Sequence, residues 1–157
     1  RFHDLDLARR HRSGVEPQGR RELIRGAVRK LTIDVRPGEY VVARLDAAAA
    51  VPPRLLDPNA GFASVTRTES ELSVVCPAEL APAGADIESG WRLLVVQGTL
   101  NLTLTGIMAA LAGALAAAGV SLFALSTFNT DQLLVKQADL ARAVAALRNA
   151  GHVVDET

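Results

Sequence analysis

No charged side chain occurs between Leu93 and Thr130, and Asp131 is the first carboxylate after this stretch. Part of the stretch, residues 106–118, has the pattern of a helix. It lacks the polar face that a surface helix of a globular protein normally shows. Such a helix must be covered on both sides, pack its small residues against a second surface, or lie in a bilayer.

A membrane-spanning helix is one alternative. The segment LTGIMAALAGALAAAGVSLFAL has about the length that a bilayer requires. It consists largely of small residues and Thr, Gly119 interrupts it, and no basic residues flank it, so its insertion would be weakly favourable. The sequence therefore favours a globular protein without a membrane span.

In a globular protein, the large residues of this helix would face its own sheet. Ile107, Leu111 and Leu115 are four residues apart, which places them on one side of a helix. The small residues would face another helix or a second subunit. These are Ala110, Gly113, Ala114 and Ala117. We expect a homodimer, because dimerisation covers an uncharged face most simply.

The distribution of charge argues against a nucleic-acid partner. The net charge is zero, and phosphate recognition needs a clustered excess of Arg and Lys. Residues 1–30 hold nine basic and four acidic residues, whereas residues 31–157 hold eight and thirteen. We expect residues 1–30 to form a basic extension, flexible or partly helical, that docks loosely on the acidic body. A membrane-surface or nucleic-acid role for this arm alone stays open.

Cysteine use bears on the compartment. Cys76 is the single cysteine, so it cannot form an internal disulfide, and it suits a reducing environment. The first twenty residues are charged where a secretory signal needs an apolar stretch. The expected location is the cytoplasm.

The order of predicted elements indicates an α+β fold. Residues 78–90 read mostly as loop, and the second half reads as strand, helix, strand, strand, helix, strand. Predicted strands cover 31–35, 40–45, 62–68, 71–77, 91–98, a hairpin within 121–136, and 152–156; predicted helices cover 106–118 and 138–151.

The two halves resemble each other. With an offset of 61, FASVTRTESELSV (62–74) lies over FALSTFNTDQLLV (123–135) and matches at Phe, Ala, Thr, Leu and Val. Chance similarity between two apolar hairpins is the alternative. The matching order of elements favours a repeat, with a first, degenerate unit at 31–90 and a second at 91–157.

Several motifs carry a resemblance to a known family. WRLLVVQG, LTGI, LAAAGVSLFALSTFNTDQLLV and a final helix ending in AGH follow one another, and VRPGEY lies in the first half. In this order they resemble ACT-domain proteins, in particular small bacterial tandem-ACT proteins related to the CASTOR arginine sensors. The resemblance implies a ferredoxin-like βαββαβ fold in two tandem ACT-like repeats with antiparallel sheets. It also implies sheets that pair side by side and a regulatory role.

The resemblance implies that an amino acid or another small ligand binds between ACT units. The implied ligand-binding residues are Leu104, Thr105, Gly106 and Ile107, then Thr127, Phe128, Asn129, Thr130 and Asp131, with Ser73 and Val74 from the other half. This chain departs from the family pattern in two places. Thr103 and Thr105 stand where an acidic residue and a proline are common, and Gln132 stands where an aromatic residue is common.

The same site has a physical rationale. Glycine at the start of a helix lets a ligand approach the backbone, and the free amides of the first turn favour an α-carboxylate. Asp131, alone among apolar neighbours, would meet an ammonium or guanidinium group. The alternatives are structural, because Asp often bonds its own turn and Thr105-Gly106 can be a simple cap.

Catalysis finds little support in the sequence. His3, His11 and His152 have no Cys or carboxylate at metal-ligand spacing, and Cys76 reads as a small buried residue. Phosphate-binding glycine loops and a hydrolase elbow are missing. We therefore expect no catalytic residue, metal or cofactor. Two rival hypotheses stay open, a dimerisation module without a ligand and an enzyme that uses Cys76 or His152.

Overall fold

The computed structural model describes residues 29–98, 100 and 106–156, so the extension at 1–28 lies outside the described residues. The described part forms eight strands, two α-helices and three short 3-10 turns. In chain order the strands and helices are β1 (Thr32–Val35), β2 (Tyr40–Leu45), β3 (Ser64–Arg67), β4 (Leu72–Pro77), β5 (Asp86–Val96), α1 (Ile107–Ala117), β6 (Leu122–Ser126), β7 (Asp131–Lys136), α2 (Leu140–Asn149) and β8 (Val153–Glu156).

All eight strands belong to one sheet, with the long strand β5 at its centre. β1 and β2 both pair antiparallel with β5, one after the other, so that Ile33 lies opposite Val96 and Arg44 opposite Asp86. β7 also pairs antiparallel with β5, and β6 with β7. β4 and β3 continue the sheet beyond β2, and β8 lies parallel to β1.

The two halves of the chain share one arrangement. β2 is followed by the hairpin β3–β4, and β4 returns to pair with β2. In the same way β5 is followed by the hairpin β6–β7, and β7 returns to pair with β5. From β5 to β8 the elements follow the predicted βαββαβ order, which confirms the ferredoxin-like α+β fold. The boundary that the sequence placed between residues 90 and 91 falls within β5.

The first half has 3-10 turns where the second half has helices. Proline lacks the N–H that a helix interior requires, and Pro52, Pro53 and Pro58 interrupt the connection between β2 and β3. Only Pro53–Leu56 forms a turn of 3-10 helix there. The three prolines thus leave this connection a single turn of 3-10 helix.

Residues 86–90 differ from the prediction, because they belong to β5 and not to a loop. Gly90 has a φ of 77°, and the register between β2 and β5 shifts next to it, which is the geometry of a β-bulge. A glycine among polar residues reads as a loop in the sequence. Here it is the bulge that lets one strand continue through both halves.

Helices α1 and α2 cover one face of the sheet. Leu111 and Leu115 are fully buried there, and Ile107 packs against the same core, as predicted. Ala114, which was expected to face another helix or a second subunit, is half-buried and packs against this core, to which α2 also contributes. The exposed side of α1 consists of small residues: Ala109, Gly113, Ala116 and Ala117. Within the described part of the chain, neither helix has the length and apolar character needed to cross a membrane.

Candidate ligand-binding site

A cavity of about 270 Å³ lies between the start of α1 and the turn that joins β6 to β7. One wall comes from α1 and the segment before it, and the other from the turn and the first residue of β7. The lining residues are Leu100, Gly106, Ile107, Met108, Ala109, Ser126, Thr127, Asn129, Thr130 and Asp131.

Gly106 begins the helical wall as the N-cap of α1. Its φ is 83° and its ψ is −2°, a left-handed conformation that costs an L-residue with a side chain free energy. Its carbonyl accepts the first helical hydrogen bond, from the amide of Ala110 at 2.9 Å. Among the described residues, no side chain caps the amides of the first turn. These amides and the helix dipole favour an anion at this end of the cavity.

Hydrogen bonds hold the opposite wall in place. The amide and the hydroxyl of Thr127 both donate to the carbonyl of Thr130, at 2.8 and 3.0 Å. The hydroxyl of Thr130 in turn donates to the carbonyl of Val96 at the end of β5, at 2.5 Å. The amide of Leu100 donates to the carbonyl of Asn129 at 2.6 Å. The turn and the segment leading to α1 are therefore joined at the end of β5.

Asp131 supplies the charge of the cavity. It is half-buried at the start of β7, and its Oδ1 accepts a hydrogen bond of 2.6 Å from the hydroxyl of Ser126. Of the described residues that line the cavity, it alone is charged. The carboxylate and the helix amides thus give this one cavity two poles of opposite sign.

The structure brings together six of the predicted ligand-binding residues: Gly106, Ile107, Thr127, Asn129, Thr130 and Asp131. Phe128 lies at the tip of the same turn but is 80% exposed and does not line the cavity. Leu104 and Thr105 lie outside the described residues.

The structure does not bring the two residues from the first half to this cavity. Ser73 lines a separate groove together with Arg44 and Phe123, and Val74 is fully buried. The reason is topological, because β4 is separated from β7 by β2 and β5.

Four lining residues were missed in the sequence: Leu100, Met108, Ala109 and Ser126. Met108 and Ala109 follow the predicted Gly106–Ile107 pair within the first helical turn, so the helical period was an available signal. Ser126 follows from the hairpin register, in which it lies opposite Asp131. Leu100 could not be found locally, since a bond to the distant Asn129 places it.

The residues of the enzyme hypothesis lie elsewhere. Cys76 is fully buried, and burial, with a smaller contribution from Glu79, raises the pKa of its thiol to about 11. His152 is also buried, and burial lowers its pKa. Both shifts favour the uncharged form, and neither residue lines this cavity. Within the part of the chain that the structure describes, no cluster of His, Cys, Asp and Glu could hold a metal ion.

Two family models match the sequence. The model described as an ACT domain matches residues 86–149. A second model, of an N-terminal domain, matches residues 38–84. A search of curated protein sequences gave no match.

Solved structures resemble this chain over most of its length. A crystal structure of an Agobacterium tumefaciens protein is 35% identical, with a TM-score of 0.74, over 82% of this chain and 94% of that one. A Vibrio cholerae protein, described as of unknown function and a possible transport protein, is 24% identical, with a TM-score of 0.63, over 78% and 91%. The regulatory subunit of aspartate kinase from Thermus thermophilus is 9% identical, with a TM-score of 0.55, over 75% and 96%. The last two show likeness of fold.

Proposed function

This chain is an ACT-domain protein of the family that includes the Agobacterium tumefaciens relative, and we propose on that premise that it is a regulatory, non-catalytic protein that binds an amino acid. The cavity between α1 and the β6–β7 turn is the proposed site. We further place the chain among the small tandem-ACT proteins related to the CASTOR arginine sensors. In this proposal, residues 31–90 form a first, degenerate ACT-like unit and residues 91–157 a second.

One observation carries the proposal: a single cavity contains both the start of a helix, whose first-turn amides no described side chain caps, and a half-buried carboxylate. An α-amino acid is a zwitterion with a carboxylate and an ammonium group close together. The first would meet the amides that follow Gly106, and the second would meet Asp131. A cavity of about 270 Å³ suits a small metabolite, since pockets for drug-sized ligands usually exceed roughly 300 Å³.

Ser126 supports a role of Asp131 beyond its turn. The turn is closed by Thr127 and Thr130, whose bonds do not involve the carboxylate. Ser126 bonds one carboxylate oxygen, and the described residues give the other no recorded partner. A purely structural Asp at a turn would instead bond nearby backbone amides.

A second copy of the chain is part of this proposal. The exposed side of α1 carries only alanine and glycine, which would let another helix approach closely. In the proposed homodimer, either this side of α1 or the sheets form the interface. The competing hypothesis is a dimerisation module that binds no ligand.

A thermal-shift screen with the twenty amino acids separates the two hypotheses. The proposal predicts that at least one amino acid raises the melting temperature of the wild-type protein, and that the same amino acid has no effect on Asp131→Ala. A dimer that is stable and indifferent to all twenty would favour the module without a ligand.

A further inference from the structure

The walls of the cavity differ in chemistry around its two poles. Leu100, Ile107 and Met108 form an apolar wall, and all three are half-buried. Ile107 and Met108 also pack against the core on the helix side of the sheet, which fixes their positions. A ligand side chain that lies against this wall would lose its contact with water. Burial of a methylene group there would strengthen binding, and burial of a charge would weaken it.

Charged side chains are scarce both in the cavity and in the chain segment next to it. Asp131 is the single charged residue among the lining residues that the structure describes. The segment that joins β5 to α1 contributes no charge either, because every residue from Leu93 to Thr130 is uncharged. This includes the residues before Gly106 that the structure does not describe. The described lining and the segment before α1 therefore offer one carboxylate, the helix amides and no cationic side chain.

Each class of amino acid makes a different demand on these groups. A zwitterion with a neutral side chain uses both poles and leaves no charge unpaired. Glutamate would bring a second carboxylate for which the cavity offers no cation, and Asp131 would repel it. Lysine and arginine would bring two cations for one carboxylate.

We propose that the ligand is an α-amino acid with an unbranched or branched apolar side chain, and that amino acids with charged side chains are excluded. This inference rests on the proposed function of the same cavity. It assigns the side chain of the ligand to the wall formed by Leu100, Ile107 and Met108.

Four probes of similar length test the class of ligand: L-methionine, L-glutamine, L-glutamate and L-lysine, with L-arginine added as a longer cation. Isothermal titration of the wild-type chain should show methionine binding at least about tenfold more tightly than glutamate, lysine or arginine, with glutamine between. The series alanine, 2-aminobutyrate and norvaline should gain about fourfold in affinity per methylene, because a buried methylene contributes about 0.8 kcal/mol.

A variant at Ala109 tests the place of binding. Ala109 is exposed and lines the cavity, so a longer side chain fits there without disturbing the core. Ala109→Lys supplies the missing cation and should raise the affinity for glutamate relative to methionine by about tenfold or more. Ala109→Gln is the matched control without the charge and should leave the ratio of the two affinities near its wild-type value. Urea unfolding of both variants checks that they fold.

The outcomes are distinguishable. If a charged amino acid binds most tightly, or if Ala109→Lys leaves the ratio unchanged, the inferred ligand class or its place is wrong, while an amino-acid-binding function stands. If none of the twenty amino acids binds to the wild-type chain, the proposed function itself fails and the inference fails with it.

Discussion

The hydroxyl of Ser126 donates a hydrogen bond of 2.6 Å to Oδ1 of Asp131, and the two residues lie opposite each other where β6 and β7 pair. The bond orients the carboxylate at the edge of the cavity. We expect Ser126→Ala to weaken amino-acid binding about tenfold, since a hydrogen bond to a charged group contributes about 1.5 kcal/mol. Titration calorimetry measures the loss. Unchanged affinity would show that the hydrogen bond from Ser126 is not needed to orient the carboxylate for binding.

Replacing Asp131 separates its charge from its shape. Asp131→Asn keeps an oxygen that can accept the Ser126 bond but removes the negative charge. We expect affinity to fall roughly ten- to hundredfold, the range for losing a charge-assisted contact, while the melting temperature without ligand stays within a few degrees. Asp131→Ala should lose at least as much. Equal affinities of wild type and Asp131→Asn would show that the negative charge of Asp131 does not contribute to binding.

Two glycines of the α1 region should respond in opposite directions to alanine. Gly106 has a positive φ, so Gly106→Ala should cost about 1–2 kcal/mol of unfolding free energy, although among the described residues no atom beyond its chain neighbours lies within 4 Å of the added Cβ. Gly113 lies inside the helix and also has open space around it, so Gly113→Ala should add about 0.5–1 kcal/mol. Urea unfolding measures both. Stabilisation by Gly106→Ala would contradict the left-handed cap.

The helix-side core should be sensitive to truncation. Leu115 is completely buried, so Leu115→Ala should lower the free energy of unfolding by about 2–5 kcal/mol through lost burial and a cavity. Leu56 is 70% exposed, and Leu56→Ala should change it by less than about 0.5 kcal/mol. Denaturant unfolding compares the pair. Similar losses from both would contradict the packing of α1.

Acid should destabilise the fold through His152. Its Nδ1 accepts the amide of Leu31 at 3.3 Å, and burial lowers its pKa, so the folded state favours neutral histidine. The unfolded chain binds a proton at its ordinary pKa of about 6.5, and stability is therefore lost as the pH falls below that value. His152→Asn keeps an acceptor but does not titrate. Its unfolding free energy should fall less than that of wild type between pH 7 and pH 5.5, and parallel pH profiles would refute this role.

Much of the fold could be predicted because its signals are local. The spacing of Leu111 and Leu115 predicted the buried side of α1, and both residues are buried. Gly119 interrupts the uncharged segment in the sequence, and α1 ends just before it. Its amide donates to Ala116 and that of Val120 to Leu115, which are the bonds of a helix end.

The pairing of distant segments could not be predicted in this way. Ile33 pairs with Val96 and also with Val154, so β1 lies between two strands of the second half. No local pattern encodes the position of that strand. The start of β5 was missed for the opposite reason. The local signal at Gly90 is that of a loop, but pairing with β2 makes these residues part of a strand.

The candidate site was predicted where one turn or one helix start contains it. Thr127, Asn129 and Asp131 are neighbours in the chain, and the fold brings them to Gly106. Ser73 was expected there from the other half but lines a separate groove. The order of strands places β2 and β5 between β4, which carries Ser73, and β7, and the sequence repeat does not reveal that order.

The most direct measurement of ligand binding at this cavity is an amide NMR titration of the ¹⁵N-labelled chain with L-methionine. The amides of Ile107, Met108 and Ala109, together with those of residues 127–131, should shift in proportion to one another and saturate. At a methionine concentration near the wild-type Kd, the same amides of Asp131→Asn should shift by less than about a fifth of the wild-type change, as a ten- to hundredfold loss of affinity requires. Saturable shifts confined to the groove around Arg44 and Ser73, or no shifts with any of the twenty amino acids, would contradict amino-acid binding at the cavity between α1 and the β6–β7 turn.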